Sequence, residues 1–231
     1  MKTILQLCKR NLLIAFAASV TCFSSCKTNV PTDTPVGNAH LLLVNAAPNA
    51  TALNFYDSGN KLNTVPLVYG NTTGYQTITS GSHEIQIKAN LSNKLLATNT
   101  IRLKQDSSYS FFVYEANNTV KATTSYDDLS TPSFGNSKIR LVNLSAGLSS
   151  ADLLITNGPE LASGVSFGSI GVYQELKAGT YNFDLRLHGS NSILLNLPNV
   201  RLDNGKTYTI WCGGTIKGSG ITALSTQIIT R

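Results

Sequence analysis

The sequence repeats itself at a fixed interval, and this limits the folds that it can adopt. The tripeptide Leu-Val-Asn at residues 43–45 returns at residues 141–143, and Gly81 returns as Gly179. These matches share one offset of 98 residues, and further along the chain the offset becomes 99, as a single inserted residue would cause. We therefore predict two copies of one small domain rather than one continuous core.

The N-terminal segment has the three-part plan of a secretory signal. A basic head precedes an apolar run at residues 12–20, and a short polar stretch then ends at Cys26. The apolar run is too short for a permanent membrane helix. Phe-Ser-Ser-Cys at residues 23–26 resembles the lipobox of bacterial lipoproteins, although Phe23 stands where leucine is usual. The resemblance implies that residues 1–25 are removed and that Cys26 is acylated; a plain cleaved signal peptide is the alternative.

Loss of this signal would change the charge and the number of thiols. The whole chain has 18 basic and 12 acidic residues, and three of the basic residues lie in the removed segment. A mature net charge of about +3 is too weak to predict a nucleic-acid partner. Cys212 would be the only unmodified thiol, so we predict no disulfide and two ordinary hydrophobic cores.

Two segments without apolar periodicity divide the mature chain. Residues 27–38 are rich in Pro, Thr and Asn, which is typical of a flexible tether. A second segment that contains Ser, Pro and Gly indicates a linker between the copies. The predicted organisation is a signal peptide at 1–25, the lipidated cysteine and tether at 26–38, a first domain at 39–126, a linker at 127–137 and a second domain at 138–231.

Period-two alternation dominates both copies. His83, Ile85 and Ile87 alternate with polar residues, and the same inward face returns in Tyr181 and Phe183. Such alternation predicts half-buried strands, and turn residues separate about seven or eight of them in each copy. No segment shows a convincing amphipathic helix. We predict an all-β fold of two tandem immunoglobulin-like antiparallel β-sandwich domains.

Two repeated features have a structural interpretation. Tyr109 and Tyr208 each follow a leucine by six residues, with an aspartate between. This spacing resembles the tyrosine corner of immunoglobulin-like sandwiches, in which the hydroxyl group bonds to nearby backbone. Gly81 and Gly179 directly precede alternating strands, so we expect each to supply a positive φ for a tight turn.

The repeated motifs together resemble a known family. Tyr-Gly at residues 69–70 returns as Phe-Gly at 167–168, and Tyr-Gln at 75–76 returns at 173–174. With the lipobox and the tether, these motifs are similar to those of envelope proteins that contain the domain of unknown function 4397. The resemblance covers nearly all of the mature chain. It implies a pair of immunoglobulin-like sandwiches on a cell envelope, and it offers no established activity or site residues.

The sequence contains no convincing catalytic or metal-binding pattern. His40, His83 and His188 lack the close spacing of zinc ligands, and no acidic turn has the calcium-loop pattern. A nucleophile elbow and a phosphate-binding loop are also missing. We therefore predict no catalytic residue, no metal and no cofactor, with calcium at an acidic turn such as Asp57 as the open alternative.

Two features of the second copy have both a structural and a functional interpretation. Residues 213–220 include four glycines, which indicate a flexible hairpin loop or, alternatively, a ligand-contacting loop. Cys212 could act as a nucleophile, but its counterpart in the first copy is Val113. A position that accepts either residue is typical of a small apolar core site, which is our prediction for Cys212.

Three aromatic residues are the candidate binding residues. Strand alternation places Phe112 and Tyr114 on the outer face of the first copy and Trp211 on the outer face of the second. Exposed aromatics on a sheet could stack against sugar rings or a partner's apolar groups. Burial between the two domains, or under a loop, is the alternative and the one that we favour.

These observations lead to one hypothesis and two alternatives. The leading hypothesis is a non-catalytic, lipid-anchored protein of the outer membrane of the cell envelope that displays two sandwiches for binding or scaffolding. Its partners would be the membrane, through Cys26, and a glycan or an envelope protein. The first alternative is a carbohydrate-binding surface lipoprotein that uses the outer-face aromatics. The second is an envelope hydrolase with its site at the domain boundary.

Overall fold

The structure, a computed structural model, describes residues 37–231, which fall within one compact unit. The predicted signal peptide, Cys26 and nearly all of the tether lie outside the described residues. The first half contains the strands β1 (Asn38–Asn45), β2 (Leu53–Asp57), β3 (Asn60–Lys61), β4 (Gln76–Thr79), β5 (Gly81–Ala89), β6 (Leu95–Leu103), β7 (Ser108–Ala116) and β8 (Thr119–Tyr126).

The second half repeats this order with one additional short strand, at Ser169–Ile170. It contains the strands β9 (Asn136–Asn143), β10 (Ser150–Ile155), β11 (Glu160–Ser166), β12 (Ser169–Ile170), β13 (Gln174–Lys177), β14 (Gly179–Leu187), β15 (Ile193–Leu202), β16 (Thr207–Gly213) and β17 (Ser225–Thr230). The helical content of the described chain is a single 3₁₀ turn, Gly220–Thr222, and no helix there is long and apolar enough to cross a bilayer.

Each half is a sandwich of two sheets. In the first half the strand orders are β4-β1-β7-β8 and β3-β2-β5-β6, and in the second they are β13-β9-β16-β17, with β12 also on β9, and β11-β10-β14-β15. The prediction of an all-β fold with two sandwiches is confirmed. The pairings are antiparallel apart from β1 with β7 and β9 with β16. This order also differs from the ABED and CFG sheets of constant-type immunoglobulin domains.

Corresponding strands keep the offset seen in the sequence. β1 and β9 begin 98 residues apart, at Asn38 and Asn136, and β7 and β16 begin 99 residues apart, at Ser108 and Thr207. The predicted tyrosine corner is present in both halves. The hydroxyl of Tyr109 accepts a hydrogen bond from the backbone N–H of Lys104 at 3.2 Å. The hydroxyl of Tyr208 accepts one from the backbone N–H of Asp203 at 2.8 Å.

The glycine prediction is half right. Gly81 has a φ of +122°, as a glycine-dependent turn requires, whereas Gly179 is not among the glycines with positive φ. Both glycines begin a strand and pair with an equivalent leucine, Gly81 with Leu103 and Gly179 with Leu202. The two positions therefore differ in backbone φ but not in strand pairing.

Buried apolar residues form three clusters. One fills the first sandwich around Phe55 and Phe111, and a second fills the second sandwich around Phe183 and Ile210. The third cluster lies between the two sandwiches, and we call it the interface core. Its buried members are Leu42, Val44, Ala46, Phe112, Val142, Leu144, Trp211 and Ile229.

The two sandwiches lie side by side and point the same way. Directly after β8, Asp127 pairs with Arg140 in the middle of β9, and Asp128 pairs with Lys138 near its start. Asn49, after β1, and Ala146, after β9, line one cavity. We call the end where β1 and β9 begin the basal end, and the end where they finish the apical end. The described chain thus starts, at Gly37, at the basal end.

Candidate functional site

The three aromatic residues of the sequence prediction lie in the interface core or beside it. They project from the outer faces, as strand alternation predicted, but Phe112 and Trp211 are 0% exposed. Tyr114 is half-buried and packs edge-on against Phe167, with ring centroids 5.4 Å apart. The other sandwich covers these side chains, as the favoured interpretation expected, and they do not form an open aromatic platform.

Trp211 is held tightly in this position. Its ring makes an edge contact with Tyr69 of the first sandwich, with centroids 6.0 Å apart. A Cβ atom at Gly213 would lie only 2.8 Å from the Trp211 ring. The indole N–H has no hydrogen-bond partner within the described residues. Packing, rather than hydrogen bonding, fixes this side chain.

A buried ion pair crosses the junction. Arg140 donates from Nη2 to Oδ1 of Asp127 at 2.5 Å, and the two side chains are 2% and 1% exposed. Asp127 Oδ2 also accepts hydrogen bonds from the hydroxyls of Tyr75 and Ser110, both at 2.6 Å. Arg140 Nε donates to Thr209 at 3.0 Å. Sequence reasoning missed this cluster, because it treated Asp127 as a solvated linker residue.

Two tyrosines complete the cluster. The Arg140 guanidinium lies 4.4 Å from the ring centroid of Tyr173, and the Arg231 guanidinium lies 5.0 Å from that of Tyr75. Burial, and then the Asp127 carboxylate, raise the pKa of Tyr75, and burial also raises the pKa of Tyr173. Both phenols therefore stay protonated at neutral pH. The Asp127–Arg140 pair at the centre of the cluster is buried, and the rings of Tyr75 and Tyr173 at its edge are half-buried.

A groove at the apical end is the candidate binding site. Its larger part is a cavity of about 570 Å³ at the tip of the first sandwich. A smaller part of about 130 Å³ extends over the junction. The larger volume falls within the range of ligand pockets, roughly 300–1,000 Å³. Asn49, Glu115 and Asn118 line both parts, while Ala50, Ala89, Leu91, Leu96 and Val120 form the apolar wall of the larger part.

The charge of this groove comes from one residue. Glu115 is the sole charged side chain in the lining of both parts. Its Oε2 accepts hydrogen bonds from the backbone N–H and the side-chain amide of Asn49, at 3.3 and 2.8 Å. These bonds hold the carboxylate beside the apolar wall. The groove can accept a ligand that combines an apolar group with hydrogen-bond donors.

The glycine-rich loop of the second copy contributes to the groove. Gly214, Thr215 and Thr222 line its smaller part. Backbone hydrogen bonds from Thr215 to Thr222, at 2.9 Å, and from Leu224 to Thr215, at 2.8 Å, close this loop. A Cβ atom at Gly214 would lie 2.2 Å from the carbonyl oxygen of Ala223. The glycines thus permit a tight, internally bonded loop at the groove.

The histidines are separate from the groove and from each other. His83 is buried, with Nδ1 2.8 Å from Asp57 and Nε2 2.8 Å from the carbonyl oxygen of Thr79. His188 lies 2.9 Å from Asp152 on the second sandwich. Within residues 37–231, no group of three or more His, Cys, Asp or Glu side chains could hold a metal ion.

Cys212 is a core residue, as predicted. It is buried in the core of the second sandwich, and burial raises the pKa of its thiol to about 12. A thiol with this pKa is protonated at neutral pH and is a poor nucleophile.

The fold and the groove define a class: an all-β protein of two fused sandwiches with an apical cavity. The chain belongs to the family described as a domain of unknown function, DUF4397, whose model matches residues 39–154. The resemblance noted in the sequence is thereby confirmed for this domain. Among curated proteins, no relative matches the chain.

One solved structure with a partial likeness is a family-26 carbohydrate-binding module, CBMbc of Eubacterium rectale Amy13K, in complex with maltoheptaose. The two are 10% identical, and the alignment covers 83% of this chain and 96% of that chain, with a TM-score of 0.26. A TM-score at this level carries no inference about the ligand of this protein.

Proposed function

We propose that this protein is a non-catalytic, lipid-anchored protein of the bacterial cell envelope, placed in the outer membrane, that binds a partner through its apical groove. The observation that carries the proposal is the position of the groove. It lies at the end opposite Gly37, where the described chain begins. A chain anchored through Cys26 would hold the basal end near the membrane and present the groove away from it.

The junction between the sandwiches supports a display role. The interface core and the Asp127–Arg140 pair join the two halves, and both halves line the smaller part of the groove. The two sandwiches therefore present one composite surface. We also infer that the two halves arose by tandem copying, which the shared offset and the shared strand order support.

The anchor is tested by acylation of the full-length protein. Wild-type protein expressed in bacteria should incorporate a labelled fatty acid, and its mature mass should correspond to an acylated Cys26 at the N-terminus. The Cys26→Ser variant should lose the label and leave the membrane fraction. Equal labelling of both proteins would contradict the anchor.

The groove is tested by site-specific photocrosslinking in intact envelopes. A photoreactive amino acid replaces Leu91, which is 87% exposed and lines the groove. The matched control position is Val172, which is 74% exposed and does not line it. We expect a discrete crosslinked partner from position 91 that is missing from position 172. The same products at both positions, or none at either, would contradict binding in the groove.

The two alternatives lose the features on which they were based. The carbohydrate hypothesis depended on open aromatics at Phe112, Tyr114 and Trp211, and each of these side chains packs in the interface core against the opposite sandwich. The hydrolase hypothesis needed a set of reactive residues at the domain boundary. Asp127 and Arg140 are nearly completely buried there, and the groove that extends over the junction has Glu115 as its sole charged side chain. Hydrolysis of a glycan or peptide by the purified mature protein, abolished by one point substitution, would overturn the non-catalytic proposal.

A further inference from the structure

Phe134 is the most exposed large apolar side chain of the described structure, at 99%. It lies in the segment between the two sandwiches, two residues before β9, and hence at the basal end. A fully exposed phenylalanine gains no stabilisation from burial in the folded protein. The ring is therefore free to enter an apolar environment outside the chain.

The turn that carries Phe134 is fixed on both sides. The backbone N–H of Asn136 bonds to the carbonyl of Ser133 at 2.9 Å, and Gly135 has a φ of +85°. Glu175 accepts from the backbone N–H of Ser133 at 3.1 Å and from the Asn136 amide at 2.9 Å. The backbone N–H of Gly135 bonds to the Asn204 side chain at 2.9 Å. The ring is thus held out by a well-bonded turn.

Two lysines flank this turn. Lys177 precedes Ala178, whose backbone N–H donates to the carbonyl of Gly135 at 2.8 Å. Lys206 follows Gly205, whose backbone N–H donates to the carbonyl of Asn136 at 2.8 Å. Lys177 and Lys206 are exposed, and within residues 37–231 no ion pair is found for either.

The nearby acids are already engaged. Hydrogen bonds from Asn136 and Ser133 lower the pKa of Glu175, and Asp203 pairs with Arg201 at 2.8 Å. Glu175 keeps its negative charge, because these hydrogen-bond donors are neutral. Within the described residues, the turn therefore carries two unpaired lysines against one unpaired carboxylate, and the positive charge is in excess beside the exposed ring.

We propose that Phe134, Lys177 and Lys206 form a membrane-contact patch. The Phe134 ring enters the interfacial region of the bilayer, and the two lysines bind anionic lipid head groups. Aromatic rings and basic side chains are the residues that favour this region. The patch rests on the proposed lipid anchor, and it sets the orientation of the protein rather than its attachment.

The length of the tether favours a lipid surface over a protein partner. Eleven peptide units separate Cys26 from Gly37, and they span at most about 40 Å. The basal end is therefore confined near the bilayer, where the local concentration of lipid is high. One ring and two lysines would bind weakly from free solution, but the tether makes the contact intramolecular and so more favourable.

The test measures the depth of a tryptophan in the bilayer. Acylated full-length mature protein is reconstituted into vesicles of phosphatidylcholine and phosphatidylglycerol that contain brominated lipid, a quencher. The variant is Phe134→Trp, and the matched control is Leu91→Trp at the apical end; the native Trp211 is buried in both. We expect the quencher to reduce the added emission of the F134W variant and to leave that of the L91W variant unchanged.

A second pair of substitutions tests the lysines. Each lysine near an anionic surface contributes about a fivefold gain in binding. Lys177→Glu with Lys206→Glu, in the F134W background, should lower the ratio of inserted to free ring by at least about tenfold. Unchanged quenching in this variant would overturn the role of the lysines.

The outcomes separate the patch from the anchor. If the protein is acylated and the F134W variant is no more quenched than the L91W variant, the patch is overturned and the anchor stands. If the emission of the F134W variant depends on protein concentration but not on the quencher, residue 134 contacts a second copy of the protein instead of lipid. That result would also overturn the patch. If the intact mass shows no acylation, the anchor fails and the patch fails with it.

Discussion

At equivalent positions of the two halves, different side chains make the same backbone contact. His83 of the first half corresponds to Tyr181 of the second, 98 residues later. The hydroxyl of Tyr181 donates to the carbonyl of Lys177 at 2.9 Å, and His83 Nε2 donates to the equivalent carbonyl, that of Thr79. The remaining ring nitrogen of His83 faces Asp57. His83 therefore has a structural role: it makes the same backbone contact as Tyr181, and Asp57 is the partner of its second ring nitrogen.

Replacing the first-half residues at positions 83 and 57 by their second-half counterparts tests this interpretation. His83→Ala should destabilise the protein by about 1–3 kcal/mol, because it removes a buried ring together with its contacts to the Thr79 carbonyl and to Asp57. His83→Tyr combined with Asp57→Ile, the residue at position 155, should recover most of that loss. Urea unfolding followed by circular dichroism measures both effects. A double variant no more stable than H83A would contradict this structural role.

The Asp127–Arg140 pair is the second case at this scale. Arg140→Leu, which copies Leu42 of the first half, should lower the free energy of unfolding by about 3–5 kcal/mol, because a buried carboxylate loses its counter-charge. Adding Asp127→Leu should recover part of the loss, since the uncompensated charge is gone. A loss below about 1 kcal/mol in the single variant would mean that water reaches Asp127.

Strands and connecting segments were predictable to different degrees. The period-two pattern and the repeat gave the sandwich strands, and the Leu-to-Tyr spacing gave the tyrosine corner, because these signals are local. The junction was not predictable in detail, since Asp127 and Arg140 meet only once both sandwiches are folded. One signal was present: Leu41–Val44 is a continuous apolar run, which indicates burial of β1 on both faces. In the structure these residues alternate between the first core and the interface core.

The segment after β8 makes a prediction about acid stability. The Asp128 carboxylate accepts hydrogen bonds from Lys138 Nζ and from the Ser130 hydroxyl, each at 2.6 Å. These hydrogen bonds lower the pKa of Asp128 to about 2. The folded pKa lies below the unfolded one, so the stabilisation is complete above about pH 4 and is lost as the pH falls towards 2.

The measurement compares wild type with Asp128→Asn across this range. The wild type should be the more stable at pH 6, and the difference should shrink steadily between about pH 4 and pH 2 as the carboxyl group becomes protonated. Chemical denaturation at a series of pH values reports the difference. A gap that does not change with pH would contradict the role of the charge.

The whole molecule depends on its third apolar cluster. Because β1, β7, β9 and β16 contribute to it from both sides, each sandwich alone would expose a buried sheet face. We expect the two halves to unfold as one cooperative unit rather than in two steps.

Two phenylalanines with opposite surroundings test this expectation. Phe112→Ala should lower the free energy of unfolding by about 3–5 kcal/mol through a cavity in the interface core, and it should begin to separate the unfolding of the two halves. Phe134→Ala removes a side chain that is 99% exposed and should change the stability by less than about 0.5 kcal/mol. Calorimetry distinguishes one transition from two. Equal effects of the two substitutions would contradict the assigned environments.

The shared direction of the two sandwiches decides where a reporter tag would be accessible. Arg231 bonds through its backbone to Thr207, at the start of β16, so the last described residue leaves from the same end as Gly37 enters. An epitope fused after Arg231 would emerge beside the lipid and be sheltered from antibody. An epitope inserted between Asn117 and Asn118, in the β7–β8 turn, would face outward, and the two labels together would report the polarity of the protein in living cells.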